Sequence, residues 1–234
     1  MNFPAQRTSV FIFLAAVIFL PFSMKIFSGH VFFIFLPLVW VVLVRRQHIS
    51  CLGISSKNGI FSIVAGILSG IVLGLLAGVI FNFIGFRKID LHTAAMYDIA
   101  ERGFGFFRPS FNSASRYFLA RSTSADGIIV YFLYTLFFVG FGEELFWRGF
   151  IQKYALRRLS KAKAMVVTAF IFTLIHVYVL ALVPFMAGMI FLLMIGASAC
   201  LWGYLSYRLE NILVSAISHG IAAFVVWRLY VFRI

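Results

Sequence analysis

Long apolar runs, separated by short polar or basic clusters, dominate the pattern along the chain. An α-helix rises about 1.5 Å per residue, so roughly 20 apolar residues are needed to cross the hydrocarbon core of a bilayer. The chain contains seven runs of this kind, and the pattern therefore predicts an all-α, polytopic bundle of about seven transmembrane helices. The runs cover residues 9–28, 30–44, 60–86, 127–148, 164–182, 184–207 and 212–232.

Composition agrees with this prediction and excludes other classes. The 234 residues are 63% hydrophobic and 12% charged, with a mean hydropathy of +1.03. Soluble domains are only about 45–50% apolar, and disordered chains are less apolar still, so both classes are excluded. The two cysteines, Cys51 and Cys200, are too few for a disulfide framework.

The net charge of +13 would suggest nucleic-acid binding in a soluble protein. In a membrane protein, basic loops beside anionic lipid account for it, so we expect the lipid bilayer, and no nucleic acid, as a partner. The loop after the second run contains Arg45, Arg46 and Lys57, and the loop after the fourth contains five basic residues between positions 153 and 163. Basic loops stay in the cytoplasm. We therefore expect a multi-pass inner-membrane protein with a cytoplasmic N-terminus and an external C-terminus.

Glycines recur every four residues in the third run, at Gly66, Gly70, Gly74 and Gly78. This stripe predicts a helix face on which another backbone can approach closely. No repeat of 20 to 50 residues is visible, so the pattern does not favour a solenoid or the duplicated halves of a transporter.

Ionisable residues inside a membrane are costly, and they are functional candidates by default. The fourth run contains Glu143, Glu144 and Arg148 near its end, the fifth contains His176 and the seventh contains His219. Counted from the cytoplasmic ends of their helices, Glu143 lies ~15 Å deep, His176 ~20 Å and His219 ~12 Å. The three runs therefore bring these polar side chains to a similar depth.

The spacing within the fourth run predicts different roles for the two glutamates. Glu144 and Arg148 are four residues apart and can pair on one helix face, whereas Glu143 points about 100° away. Two carboxylates in different surroundings can divide a structural role from proton transfer. Glu143 could then act as a general base on water, with one histidine orienting that water and the other donating to an oxyanion.

Other interpretations of these residues remain open. The charged group could be an interfacial ion cluster, and each histidine could be an interhelical hydrogen-bonding residue. Two histidines and a carboxylate could also bind zinc, but no His-Glu-x-x-His is present and the ligands would come from three helices, which disfavours a metal. Nucleophilic alternatives are weaker, since Cys200 has no histidine on its own segment and no Gly-x-Ser-x-Gly occurs.

Three motifs in order resemble one family. The segment Glu-Glu-Leu-Phe-Trp-Arg-Gly-Phe at 143–150 resembles the Glu-Glu-x-x-x-Arg signature of the CPBP family. These are intramembrane proteases that include CAAX prenyl endopeptidases and bacteriocin-processing or abortive-infection-like proteins. Phe172 to His176 is similar to the Phe-x-x-x-His motif of the family, and His219 lies where its His-x-x-x-Asn motif begins. The resemblance covers about residues 127–223.

The resemblance implies an endopeptidase that cuts a membrane-associated peptide or protein in a cavity opening toward the cytoplasm. It implies a mechanism without cofactor or metal, in which Glu143 activates water with His176. Glu144 and Arg148 would support the site, and His219 would stabilise the oxyanion. It divides the chain into N-terminal spans with a connecting loop, residues 1–126, and a catalytic membrane core, residues 127–234.

One position departs from the family pattern. The fourth residue after His219 is Ala223 rather than asparagine, which removes one expected oxyanion donor. Reduced activity, another donor and a diverged subfamily all remain open. The alternative function is a catalytically reduced membrane scaffold or immunity protein of the same fold, and a proton-coupled transporter ranks last. The sequence carries no signal for the oligomeric state.

Overall fold

The computed structural model describes residues 36–44, 49–83, 125–181 and 184–226. These residues are helical throughout apart from short turns, and no strand occurs among them. The longer helices are α1 (Gly59–Phe83), α2 (Asp126–Ala155), α3 (Lys161–Leu174), α4 (Phe185–Leu209) and α5 (Leu213–Val226). Short helical turns cover Val39–Val44, Ile49–Leu52 and Val177–Ala181.

Three helices are long and apolar enough to cross a bilayer. They are α1 and α4, with 25 residues each, and α2, with 30 residues. They correspond to the third, fourth and sixth apolar runs, so the protein is a membrane protein, and the part of it that the structure describes is all-helical. Both α3 and α5 have 14 residues. The run 9–28, residues 30–35 of the second run and the connection 87–124 lie outside the described residues, and the count of seven spans stays a prediction.

Helix α2 changes its winding along its length. It is α-helical over Ala125–Tyr134 and Lys153–Ala155, and π-helical over Thr135–Gly142 and Leu145–Gln152. π-Helical turns are rare and occur frequently at functional sites. The two adjacent glutamates at 143 and 144 lie between the π-helical stretches.

The glycine stripe of α1 packs against α5, as the sequence predicted. A Cβ atom added at Gly70 would lie 2.8 Å from the Ser218 carbonyl oxygen, and the equivalent nearest atoms lie at 2.9 Å for Gly66 and 2.7 Å for Gly74. Real Cβ atoms do not come this close to their neighbours. The prediction of a closely packed small-residue face is therefore confirmed.

Helix α5 is equally close to α2. A Cβ atom added at Gly220 would lie 2.7 Å from the Leu136 Cα atom, and one added at Gly140 would overlap the Ala216 carbonyl oxygen. Helix α5 also contacts α4. Its central position buries the polar side chains of Ser215, Ser218 and His219.

Several basic segments meet at one end of the bundle. Lys57 Nζ lies 2.7 Å from Glu210 Oε2, and the Asn211 side chain donates to the carbonyl oxygen atoms of Ser55 and Lys57. The hydrogen bond and the positive charge of Lys57 lower the pKa of the Glu210 carboxyl. At the start of α3, Lys161 Nζ lies 5.1 Å from the centre of the Tyr207 ring. The turns before α1, before α3 and before α5 therefore lie at the same end.

The fifth apolar run differs from its prediction. A single helix was expected over residues 164–182, but α3 ends at Leu174, and His176 lies in the turn before Val177–Ala181. The Phe172 carbonyl oxygen lies 2.8 Å from His176 Nδ1, and the His176 backbone N–H bonds instead to the Thr173 carbonyl oxygen. The imidazole ring thus takes the carbonyl group that the next helical turn would have used.

The close packing of α1 on α5 leads to a test with an internal control. Gly70→Ala should lower the free energy of unfolding by on the order of 1–3 kcal/mol, because the added methyl group meets the backbone of α5. Gly59→Ala adds the same methyl group where no atom lies within 4 Å, and it should change stability little. Thermal unfolding in detergent compares the two. Equal unfolding midpoints would contradict the packing described here.

Candidate functional site

Three of the predicted site residues form one buried cluster around a single oxygen atom. Glu144 Oε1 lies 2.7 Å from Arg148 Nη1 and 3.1 Å from His219 Nδ1. The side chains of Glu144 and Arg148 are both 0% exposed. Because a carboxylate only accepts hydrogen bonds, both nitrogen atoms donate to it. The cluster therefore joins α2 to α5 through charge-assisted hydrogen bonds.

The same face of α2 is also fixed to α4. Arg148 Nη2 donates to the Ala199 carbonyl oxygen at 2.9 Å, and Gln152 Nε2 donates to the Gly203 carbonyl oxygen at 2.9 Å. The two donors are four residues apart on α2, and the two acceptors are four residues apart on α4. This ladder fixes how α2 sits on α4, and with it the position of the guanidinium group.

Two aromatic rings enclose the cluster. The guanidinium carbon of Arg148 lies 5.1 Å from the centre of the Phe172 ring and 5.6 Å from that of the Trp202 ring. The His219 ring stacks on Trp202, with centroids 4.1 Å apart and planes 20° apart, and it meets Phe172 nearly edge to face at 5.9 Å. Aromatic faces attract cations and exclude water. The ionic contacts therefore lie in a low-dielectric setting, where they are stronger than in water.

Glu143 is buried beside this cluster, with 7% of its surface exposed. Its carboxylate is close enough to the Arg148 guanidinium to add to the favourable electrostatic environment of that cation. The neighbouring Glu144 contacts Arg148 directly, at 2.7 Å. The four-residue spacing predicted that Arg148 pairs with Glu144, and the two side chains do form an ion pair.

His176 is connected to the group through an aromatic ring. Its ring lies 4.8 Å from the Phe172 ring, which in turn lies against His219 and Arg148. Two histidines from different elements therefore lie on the same phenylalanine. The pairing of Glu143 with His176 on one water molecule stays a prediction.

Several residues of this site were not predicted from the sequence. Gln152 could have been found, since it lies four residues after Arg148 on the same face. Trp202 and Ser218 carried no signal, because an aromatic or a serine in an apolar run is usually a packing residue. Trp202 Nε1 donates to Ser218 Oγ at 3.0 Å, and this contact depends on how α4 packs on α5.

The described residues contain no group of three or more His, Cys, Asp or Glu side chains arranged to hold a metal ion. The donors that meet Glu144 are instead a guanidinium and an imidazole. Both present N–H groups to the carboxylate.

Comparison with known proteins adds one match. Residues 125–225 match the family described as type II CAAX prenyl endopeptidase Rce1-like. The matched segment runs from the start of α2 almost to the end of α5, and it contains Glu143, Glu144, Arg148, His176 and His219. No curated protein and no solved structure matches the chain.

The buried pair predicts a large effect of Arg148→Ala on stability. The substitution leaves the Glu144 carboxylate buried without its closest cation, which costs roughly 3–5 kcal/mol in buried pairs. We expect a lower unfolding midpoint and less folded protein in the membrane. Lys57→Ala is the matched control, since it breaks an ion pair of equal length at a site where both side chains are more than half exposed. A normal midpoint for Arg148→Ala would contradict the structural role of the pair.

Proposed function

Because residues 125–225 belong to the Rce1-like type II CAAX prenyl endopeptidase family, we propose that the protein is an intramembrane endopeptidase. It hydrolyses a peptide bond in a membrane-associated peptide or protein, using a water molecule activated by a glutamate. The observation that carries this proposal is the buried cluster at Glu144, with Glu143 next to it in the chain. Glu144 is held by Arg148 and His219, while Glu143 is buried next to it.

Glu143 is the better candidate for the general base. Glu144 Oε1 already accepts hydrogen bonds from a guanidinium and an imidazole, and an oxygen engaged in this way is a poor proton acceptor. Glu143 lies next to Glu144 on α2, at the same depth in the bundle. A carboxylate in a dry site is suited to taking a proton from water.

Hydrogen bonding also suggests the roles of the two histidines. A carbonyl oxygen only accepts, so the Nδ1 atom of His176 carries the hydrogen that bonds to Phe172. The Nε2 atom of a neutral His176 ring is then a lone-pair acceptor that can orient water. His219 uses Nδ1 toward Glu144, and its Nε2–H, when protonated, can donate to an oxyanion.

With these roles, every proton and bond of the hydrolysis is accounted for. Glu143 removes a proton from water as the water oxygen bonds to the peptide carbonyl carbon, and His219 stabilises the negative charge that develops on the carbonyl oxygen. The protonated Glu143 then gives its proton to the peptide nitrogen as the carbon–nitrogen bond breaks. The products are a carboxylic acid and an amine. No metal enters this scheme, and zinc remains the disfavoured option.

We further propose a multi-pass inner-membrane protein of about seven spans, with the cavity opening toward the cytoplasm. The meeting of the turns before α1, before α3 and before α5 at one end of the bundle supports this orientation. The turns before α1 and before α3 carry basic residues, and the cytoplasmic side attracts positive charge.

One observation favours a second candidate. Ala223 occupies the position where the resembling motif has an asparagine, so one expected oxyanion donor is absent from that place. A membrane scaffold or immunity protein that keeps the fold with reduced catalysis would tolerate this change. Glu143 and His176 argue for an enzyme, since the contacts that join α2 to α5 belong to Glu144, Arg148 and His219.

Glu143→Gln separates the two candidates. It keeps the shape of the side chain but removes the base, so it should lower the cleavage rate by roughly 10²–10⁴-fold while the folded protein stays in the membrane. We would compare membranes of the native host carrying wild-type protein or the variant, by proteomics of newly formed peptide termini. Each comparison is made with and without a chelator.

Termini that disappear in Glu143→Gln but not with chelator are the expected result, and they would also identify substrates. Glu210→Gln is the control, because this exposed glutamate lies outside the site and should leave all termini unchanged. Termini that disappear with chelator would replace the metal-free mechanism with a metal-dependent one. A phenotype of the gene deletion without any difference in termini would favour the scaffold.

A further inference from the structure

A single hydrogen bond does not fix the orientation of an imidazole ring. The hydrogen bond that holds His219 runs from its Nδ1 atom to Glu144 Oε1, over 3.1 Å. Around that contact the ring can still turn, and turning moves Nε2, the atom proposed to face the oxyanion. A second constraint, on the plane of the ring, is needed to hold Nε2 in one place.

Trp202 supplies this second constraint by stacking on the His219 ring. Its ring lies 4.1 Å from the His219 ring, with only 20° between the two planes, so rotation of the imidazole out of this plane would break the stacking. On another side, the edge-to-face contact with Phe172 at 5.9 Å leaves the ring little space to tilt. Stacking and the Glu144 hydrogen bond together leave one orientation.

The indole of Trp202 is itself held by two polar side chains, that of Ser218 directly and that of Ser69 through Ser218. Its Nε1 donates to Ser218 Oγ at 3.0 Å, and the Oγ atom of Ser69 on α1 lies within hydrogen-bond distance of the same Ser218 oxygen, at 3.0 Å. Ser218 is 0% exposed. A buried indole N–H needs a hydrogen-bond partner, and this partner determines how far the ring is turned. These three side chains connect α4, α5 and α1.

We propose that Trp202, held by Ser218, is a positioning residue that fixes the ring plane of His219 for hydrolysis. This inference rests on the proposed function and extends it to a residue outside the three family motifs. Trp202 does not touch the reacting atoms. It acts through His219, so its loss should slow the chemical step more than it weakens substrate binding.

The kinetic test uses purified protein in liposomes and a lipid-anchored peptide carrying a cleavage site found in the terminus comparison. Trp202→Leu removes the flat ring and should lower kcat by roughly 10- to 100-fold, because a misplacement of about 1 Å costs this much, while KM changes less than twofold. Trp202→Phe keeps a flat face but loses the hydrogen bond to Ser218, so it should restore kcat only in part. Ser218→Ala removes only one oxygen atom and should give an intermediate value.

Trp40→Leu is the matched control, since this partly buried tryptophan packs in a separate apolar cluster. It should leave both kcat and KM unchanged. A kcat of Trp202→Leu equal to that of an active wild type would overturn the role of Trp202. Equal losses in Trp202→Leu and Trp202→Phe would also overturn it, because then the flat face is not what matters.

A second readout does not depend on turnover. In protein carrying Glu143→Gln, the His219 ring protons should show an upfield NMR shift from the stacked indole, and Trp202→Leu should abolish it. Ring protons that do not move would overturn the stacking on which the inference depends. A wild type that shows this shift yet cleaves no peptide would overturn the proposed function, while leaving the geometry of the ring intact.

Discussion

The structure depends on one buried oxygen atom, Glu144 Oε1, which accepts hydrogen bonds from Arg148 and His219. Each charged group alone would be costly in the apolar interior of a membrane protein, and together the carboxylate and the guanidinium compensate each other. Because the donors belong to α2 and α5, the pairing also fixes those helices. The aromatic faces of Phe172 and Trp202 enclose the charges and exclude water from them. The remaining polar groups are arranged around this center.

Helix packing makes the contact possible. His219 reaches Glu144 only because α5 lies unusually close to both α1 and α2. Glycines provide that closeness: Gly70 faces the Ser218 backbone, and Gly140 and Gly220 meet where α2 crosses α5. In lipid, where apolar surface gives little driving force between helices, such close packing and interhelical hydrogen bonds hold a bundle together. The glycines therefore bring the helices close enough for the few ionisable residues to meet.

Part of this arrangement could be predicted from the sequence. The four-residue spacing predicted the Glu144–Arg148 pair, and the glycine period predicted the close face of α1. The approach of His219 to Glu144 could only be expected as a shared depth, since the rotation of α5 about its axis depends on tertiary packing. The end of α3 at Leu174 was missed because the His176 side chain bonds to the Phe172 carbonyl oxygen, which the apolar pattern does not reveal. Trp202 was missed because its contact with Ser218, 16 residues away, joins two helices.

The central claim is that two adjacent glutamates have separate tasks, one chemical and one structural. The most direct measurement records cleavage and thermal unfolding on the same preparations of Glu143→Gln and Glu144→Gln. The account predicts that Glu143→Gln loses cleavage and keeps its unfolding midpoint. Glu144→Gln should lower the midpoint, because Arg148 loses its buried counter-charge. Unfolding midpoints that fall equally in both variants, or cleavage that survives Glu143→Gln, would contradict the account.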